Sequence, residues 1–164
     1  TRVNGFRIYY RFQSESDSDM IKKIKIEINT SEHFTVFGIK KMDFAVDSPW
    51  YTADTQISTY SIDELAGTKL RALYQRKKGR DLFDIYRLLA DKLIDPQKTV
   101  EAFQAYLKKQ DLHVKRDQYL ENIKLKLLEP VFRTDVESLL VSGVKFDPDV
   151  AFEQVETLIR LLQE

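Results

Sequence analysis

The feature that most constrains this chain is a change of hydrophobic period at Ser61. Before it, apolar residues recur at every second position, the spacing of a strand; after it, they recur every three or four, the spacing of a helix. Phe6, Ile8, Tyr10 and Phe12 alternate with Arg7, Tyr9, Arg11 and Gln13, within a stretch that reads as structured from Val3. Ser14 to Asp19 is polar and acidic and reads as a turn. Ile24, Ile26 and Ile28 then alternate with Lys23, Lys25, Glu27 and Asn29, which predicts a second strand hairpin-paired to the first. Phe34 to Phe37 and Met42 to Val46 are expected to be further strands. Ser48–Pro49 closes the β-rich part, and Tyr51 to Thr59 is expected to be a link holding one short strand.

Past Ser61 the helix signals are chemical as well as periodic. Ser61 and Glu64 have the spacing of a capping box, in which the hydroxyl takes an orphan N–H and the carboxylate returns to the cap. The first helix is expected to run to about Lys78, with Gly79 as its stop, and a second to start at Asp81 with Leu82, Ile85, Tyr86, Leu89 and Leu93 on one face. Asp95–Pro96 and Asp147–Pro148 each place a cap before a proline at the first helical position. Between them Val100, Phe103 and Leu107, then Leu120, Ile123 and Leu127, keep helical spacing until Pro130. The last helix is expected to bury Val155, Leu158, Ile159 and Leu162. Segregation of strands from helices defines an α+β chain: a small, mainly antiparallel β-sheet lobe over residues 1–60 and a helical bundle over 61–164.

Composition narrows the function. The 26 Lys+Arg cancel the 26 Asp+Glu, so attraction to nucleic acid has to come from local clustering. With no cysteine, thiolate metal sites, disulfides and cysteine nucleophiles are excluded, which fits a cytoplasmic location. No apolar run approaches the roughly 20 residues that span a bilayer, so no membrane partner is expected. His33 and His113 have no ligand-spaced partner, Asp17-Ser18-Asp19 reads as a solvated turn, and there is no glycine-rich phosphate loop.

Four features carry possible chemistry. Lys69 sits at the centre of an expected inward stripe of Ile62, Leu65, Ala66 and Leu73; it either snorkels to water, or meets an anion or a polar cleft. Lys69, Arg71, Arg76, Lys77, Lys78 and Arg80 form a run with no acidic residue among them, suited to phosphates or simply a solvated basic helix end. Asp81 and Asp84, three residues apart after Arg80, could orient Lys69 or hold a cation, or else only cap the second helix. Glu27, on the strand face opposite Ile24, Ile26 and Ile28, is a candidate metal or general-base carboxylate or an ordinary solvent-facing residue.

The Ile24-Lys25-Ile26-Glu27-Ile28 strand, the Leu65-Ala66-Gly67-Thr68-Lys69-Leu70-Arg71-Ala72-Leu73 block and the Arg76-Lys77-Lys78-Gly79-Arg80-Asp81-Leu82-Phe83-Asp84-Ile85 block together resemble the nucleotidyltransferase toxins of the AbiEii/AbiGii abortive-infection type. The resemblance implies a polymerase-β-like lobe, a helical C-terminal lobe, and magnesium-dependent transfer of a nucleotide from a nucleoside triphosphate to RNA, tRNA in some cases, or protein. It also implies a toxin with a cognate antitoxin. By it, Glu27 matches the third acidic, metal-binding position, Lys69 the residue that meets the triphosphate, and Arg80, Asp81 and Asp84 the Arg-Asp-x-x-Asp motif, with Arg76 beside them as a phosphate contact. The family's first motif, a Gly-Ser followed by an acidic pair on a strand, is absent. The expectation is therefore that these residues are the central and C-terminal part of a longer protein and transfer nothing alone. The competing expectation is a non-catalytic module that grips RNA or a partner protein through the 69–80 basic run.

Overall fold

The computed structural model describes residues 5–30 and 33–163; Val3, from which the first stretch reads as structured, lies outside them. Strands precede helices, and the α+β class holds: among the described residues there are two two-stranded antiparallel sheets and six α-helices. The chain divides into two compact units, residues 1–34 and 35–164.

The first unit is a hairpin of β1 (Gly5–Gln13) and β2 (Ile21–Asn29), in register from Gly5 opposite Asn29 to Gln13 opposite Ile21. The Ser14 N–H donates to the Met20 carbonyl at 2.9 Å and the Asp19 N–H to the Asp17 carboxylate at 3.0 Å, closing the polar turn. Because side chains alternate faces, one face gathers Phe6, Ile8, Tyr10, Ile24, Ile26 and Ile28, and the other Arg7, Tyr9, Arg11, Lys23, Lys25 and Glu27.

In the second unit β3 (Lys40–Ser48) and β4 (Tyr51–Thr59) form another hairpin. Tyr51 to Thr59 is thus a full strand, not a link with one short one. Ala53, Thr55 and Ile57 stand opposite Val46, Phe44 and Met42, so the pairing continues a hydrophobic face that the lone segment does not display. Phe34 to Phe37 forms no strand. The N–H groups of Val36 and Phe37 donate to the carboxylate of Glu64, at 2.8 and 3.0 Å, which removes them from any ladder.

The helices are α1 (Ile62–Gln75), α2 (Gly79–Ala90), α3 (Pro96–Lys108), α4 (Arg116–Leu127), α5 (Pro130–Thr134) and α6 (Pro148–Ile159). Asp95 and Asp147 cap α3 and α6, accepting from the N–H two residues on at 2.8 and 2.9 Å, with proline at the first turn. At α1 only half of the expected box forms: the Ser61 hydroxyl accepts from the Glu64 N–H at 3.2 Å, while the Glu64 side chain turns elsewhere. Helix α1 stops at Gln75, short of Lys78, and Gly79 opens α2 instead of ending α1. A Cβ on Gly79 would lie 2.0 Å from the Phe132 carbonyl oxygen, so its role is close approach of α2 to α5. Gly67 does the same between α1 and α3, where a Cβ would meet that of Ala102 at 2.6 Å.

The core joins Leu70 and Leu73 of α1, Leu82 and Ile85 of α2, Phe103 and Leu107 of α3, Tyr119 and Ile123 of α4, and Val155, Leu158 and Ile159 of α6. The buried stripe of α1 is Ala66, Leu70 and Leu73, rotated from the expected one; Ile62 and Leu65 are about two-fifths exposed, at 39% and 41%. Lys69 therefore lies on the shoulder of α1, not in the middle of its inner face.

Candidate functional site

Helices α1 and α2 run in contact, and their facing sides bring Lys69, Arg76, Asp81 and Asp84 together. Lys69 Nζ donates to Asp84 Oδ2 at 2.6 Å and lies 3.6 Å from Asp81 Oδ1. Asp81 is fully buried and accepts a two-pronged bond from Arg76, Nε to Oδ2 at 2.6 Å and a terminal nitrogen to Oδ1 at 2.7 Å. A buried carboxylate is tolerable only when its charge is met, and here two cations meet it. The hydrogen-bonded Asp81 carboxylate in turn raises the pKa of the Arg76 guanidinium, against the effect of its partial burial.

Asp81 does not cap α2. The cap position is Lys78, and Asp81 is the third residue of the helix, its own N–H donating to the Lys78 carbonyl at 3.1 Å. The capping role passes to a residue far away in sequence: Asp135 accepts from the Arg80 N–H at 3.3 Å and from Lys78 Nζ at 3.4 Å. The Arg80 guanidinium also faces Asp135, at 3.9 Å, and not the Lys69 cluster.

The basic run is consequently not a bare positive surface. Lys77 pairs with Glu129 at 2.6 Å, Arg71 lies 4.9 Å from the Tyr106 ring centre, and the remaining cations meet Asp81, Asp84 or Asp135. Glu129 and Asp135 are the residues that flank α5 at its start and end, so the local sequence gives no sign of this neutralisation.

Beside the cluster is an open groove of about 410 Å³, walled by Ile62, Leu65, Leu88 and Leu93 with Lys69 and Asp84 at its edge. The Lys69 side chain is 40% exposed, so its ammonium is held by carboxylates yet reachable from solvent. An ammonium in that setting can exchange one carboxylate for another anion without crossing an apolar barrier.

Glu27 belongs to the other unit. Its two oxygens are occupied by Arg7 at 2.9 Å and Lys25 at 2.8 Å; the hydrogen bond from Lys25, with both positive charges, holds its pKa below the ordinary carboxylate value. Magnesium does not fit the carboxylates as they stand: those of Glu27 and Asp81 are each spanned by cations, and Asp84 holds Lys69. Among the described residues no group of three or more His, Cys, Asp or Glu could hold a metal ion.

Sequence reasoning missed Glu64. It is fully buried and accepts from Val36 and Phe37 N–H, from the Thr35 hydroxyl at 2.9 Å and from the Tyr106 hydroxyl at 2.9 Å. Burial pushes its pKa up, these four donors pull it down, and the net shift is downward. Its position three residues after Ser61 looked like a cap and concealed this role.

Fold and site together define an α+β protein with a lysine–aspartate cluster shared by two successive helices at the wall of an open groove. The family described as nucleotidyl transferase AbiEii toxin, type IV toxin–antitoxin system, matches residues 1–159, and the chain belongs to that family. Membership implies transferase chemistry of the nucleotidyl type, a nucleoside triphosphate substrate and a toxin–antitoxin setting. No curated protein and no solved structure was found to match the chain. Among the described residues no helix is long and apolar enough to cross a membrane.

Proposed function

We propose that this chain forms the triphosphate-facing part of a cytoplasmic toxin that moves a nucleotide from a nucleoside triphosphate to an RNA acceptor, such as tRNA, and is restrained by a cognate antitoxin. The observation that carries this reading is Lys69, held by Asp84 at 2.6 Å and flanked by Asp81 at the edge of the groove. When a triphosphate enters, its phosphate oxygens take the place of Asp84 on the ammonium. Asp81 keeps its bond to Arg76, which fixes the second cation behind the first. An acceptor hydroxyl oxygen then gives up its proton to solvent and bonds to the α-phosphorus while the bond to pyrophosphate breaks, and Lys69 stabilises charge that builds on the phosphates. In this reading the metal-binding carboxylates belong to the family's first motif, and residues lacking that motif transfer nothing.

A binding module working through the 69–80 run has less support, because Asp81, Asp84, Glu129 and Asp135 already stand against those cations.

The test is transfer of label from nucleoside triphosphates to total tRNA, comparing the full-length gene product, its Lys69→Ala variant and these 164 residues. Incorporation is expected from the unaltered full-length protein and should fall by about 100-fold or more in the variant. Melting should shift little, since partly exposed ion pairs are worth about 1 kcal/mol or less. Undiminished transfer by Lys69→Ala would remove the basis of the proposal.

A further inference from the structure

We propose that the charged face of the β1–β2 hairpin is a docking surface for single-stranded RNA. Arg7, Tyr9 and Arg11 stand directly opposite Glu27, Lys25 and Lys23, so four cations and one tyrosine share a face with a single carboxylate. All six side chains are exposed. The 69–80 run has more cations, Lys69, Arg71, Arg76, Lys77, Lys78 and Arg80, but meets carboxylates along its length, whereas on this face Glu27 is the one carboxylate beside four cations. In a chain of zero net charge, four cations beside one carboxylate on a strand face is a local excess of positive charge.

Geometry adds to charge. Arg7 and Arg11 are four residues apart on one strand, roughly 13 Å at strand rise, enough to follow successive phosphates along an extended backbone. Tyr9 lies between them, 49% exposed, with Lys23 Nζ 4.9 Å from its ring centre. A ring set among cations offers an unpaired base a stacking platform while the cations hold the backbone. The opposite face, with Phe6, Ile8, Ile24, Ile26 and Ile28, is the one that burial favours, which leaves the charged face to solvent and ligands. The choice of RNA over DNA rests on the transfer reading above; the cationic face itself does not.

The experiment is fluorescence anisotropy of the full chain with a short fluorescein-labelled single-stranded RNA at stepped salt. Binding should weaken as salt rises, with a slope of about −0.7 per phosphate neutralised. Reversing the cross-strand pair, Arg11→Glu with Lys23→Glu, should weaken binding by about tenfold or more and make the slope shallower by about 1.4. Lys77→Ala with Lys78→Ala should leave it within about twofold. If the reversed pair disturbs the circular dichroism spectrum, Arg11→Ala with Lys23→Ala gives the same readings without like charges across the strands. Unchanged affinity and slope in either pair, or loss in the Lys77 and Lys78 variant instead, overturns the proposal. Competition by polyglutamate as strong as by RNA would make this an acidic-protein surface and overturn it too; equal affinity for the same DNA sequence would overturn the choice of RNA. Failure here is separable from failure of the transfer reading. RNA binding lost on charge reversal, together with a full-length gene product that transfers nothing, supports the surface and sinks the transfer reading. Transfer to RNA with unchanged KM by the reversed pair does the opposite.

Discussion

At the scale of single residues, burial separates two aspartates that the sequence presents as equivalent. Asp81 is inaccessible and gripped by Arg76, while the Asp84 side chain is 39% exposed and holds only Lys69. Asp81→Asn should therefore cost about 2–3 kcal/mol, because it leaves part of a charge-assisted pair unmet at a buried position. Asp84→Asn should cost under about 1 kcal/mol. Urea denaturation of the two variants checks this; equal midpoints would mean that the Asp81 pair adds nothing to the fold. Glu64 presents a second case. Gln at this position directs an amide N–H₂ at donors, and about 2–3 kcal/mol should be lost. With its pKa lowered from the ordinary value of 4.5, Glu64 stabilises the fold above that pH, and the contribution is lost as pH falls through the lower, folded value. Acid titration of stability should show this loss in the wild type and not in Glu64→Gln.

At the scale of elements, helix starts were legible where one side chain meets its own backbone. Asp95–Pro96 and Asp147–Pro148 act as read, since capping is local chemistry. Ends and partners set by packing were not legible: Gly79 looks like a stop and is a contact with Phe132, and Glu64 looks like a cap and is an anchor for Thr35, Val36 and Phe37. Lys69 stands out in the sequence although its stripe is rotated, because a lysine among apolar residues at helical spacing is conspicuous wherever the face points. Lys126 drew no notice in the sequence. It is 4% exposed, and its ammonium donates to the Tyr74 carbonyl at 2.7 Å and to that of Leu73, tying α4 to the open C-terminal end of α1. Burial, together with the positive charge of Lys77, lowers its pKa from 10.5 to about 8 against the opposing pull of Asp81 and Glu129. The unfolded chain thus holds this proton more tightly, and the contribution of Lys126 to stability should rise with pH between about 8 and 10.5. Lys126→Met should flatten that rise; an identical pH profile in the variant would assign it to other groups.

At the scale of the whole molecule, the strand-then-helix order was written in the period of the apolar residues, and pairing within each hairpin followed from alternation. What periodicity does not carry is which carboxylate answers which cation. Glu129 and Asp135 lie more than fifty positions from Lys77, Lys78 and Arg80, and only the fold joins them. The two units also differ in what holds them. Residues 35–163 contain the hydrophobic core, whereas the β1–β2 hairpin keeps Phe6, Tyr10 and Ile24 more than half exposed, at 69%, 57% and 52%. A two-stranded hairpin with that little burial is marginally stable in water. Its ladder amides should open by local fluctuation, while those of Leu70, Phe103 and Ile123 should open only with the core. In native-state hydrogen exchange, β1 and β2 should therefore lose their protons well before α1, α3 and α4, and added denaturant should speed the helices more than the hairpin. Equal protection would show that the face of Phe6, Ile8, Ile24 and Ile26 is covered in solution. Adding RNA tests the same amides from the other face: if the cations of β1 and β2 bind it, exchange in the hairpin should slow while exchange in the helical core stays as it was.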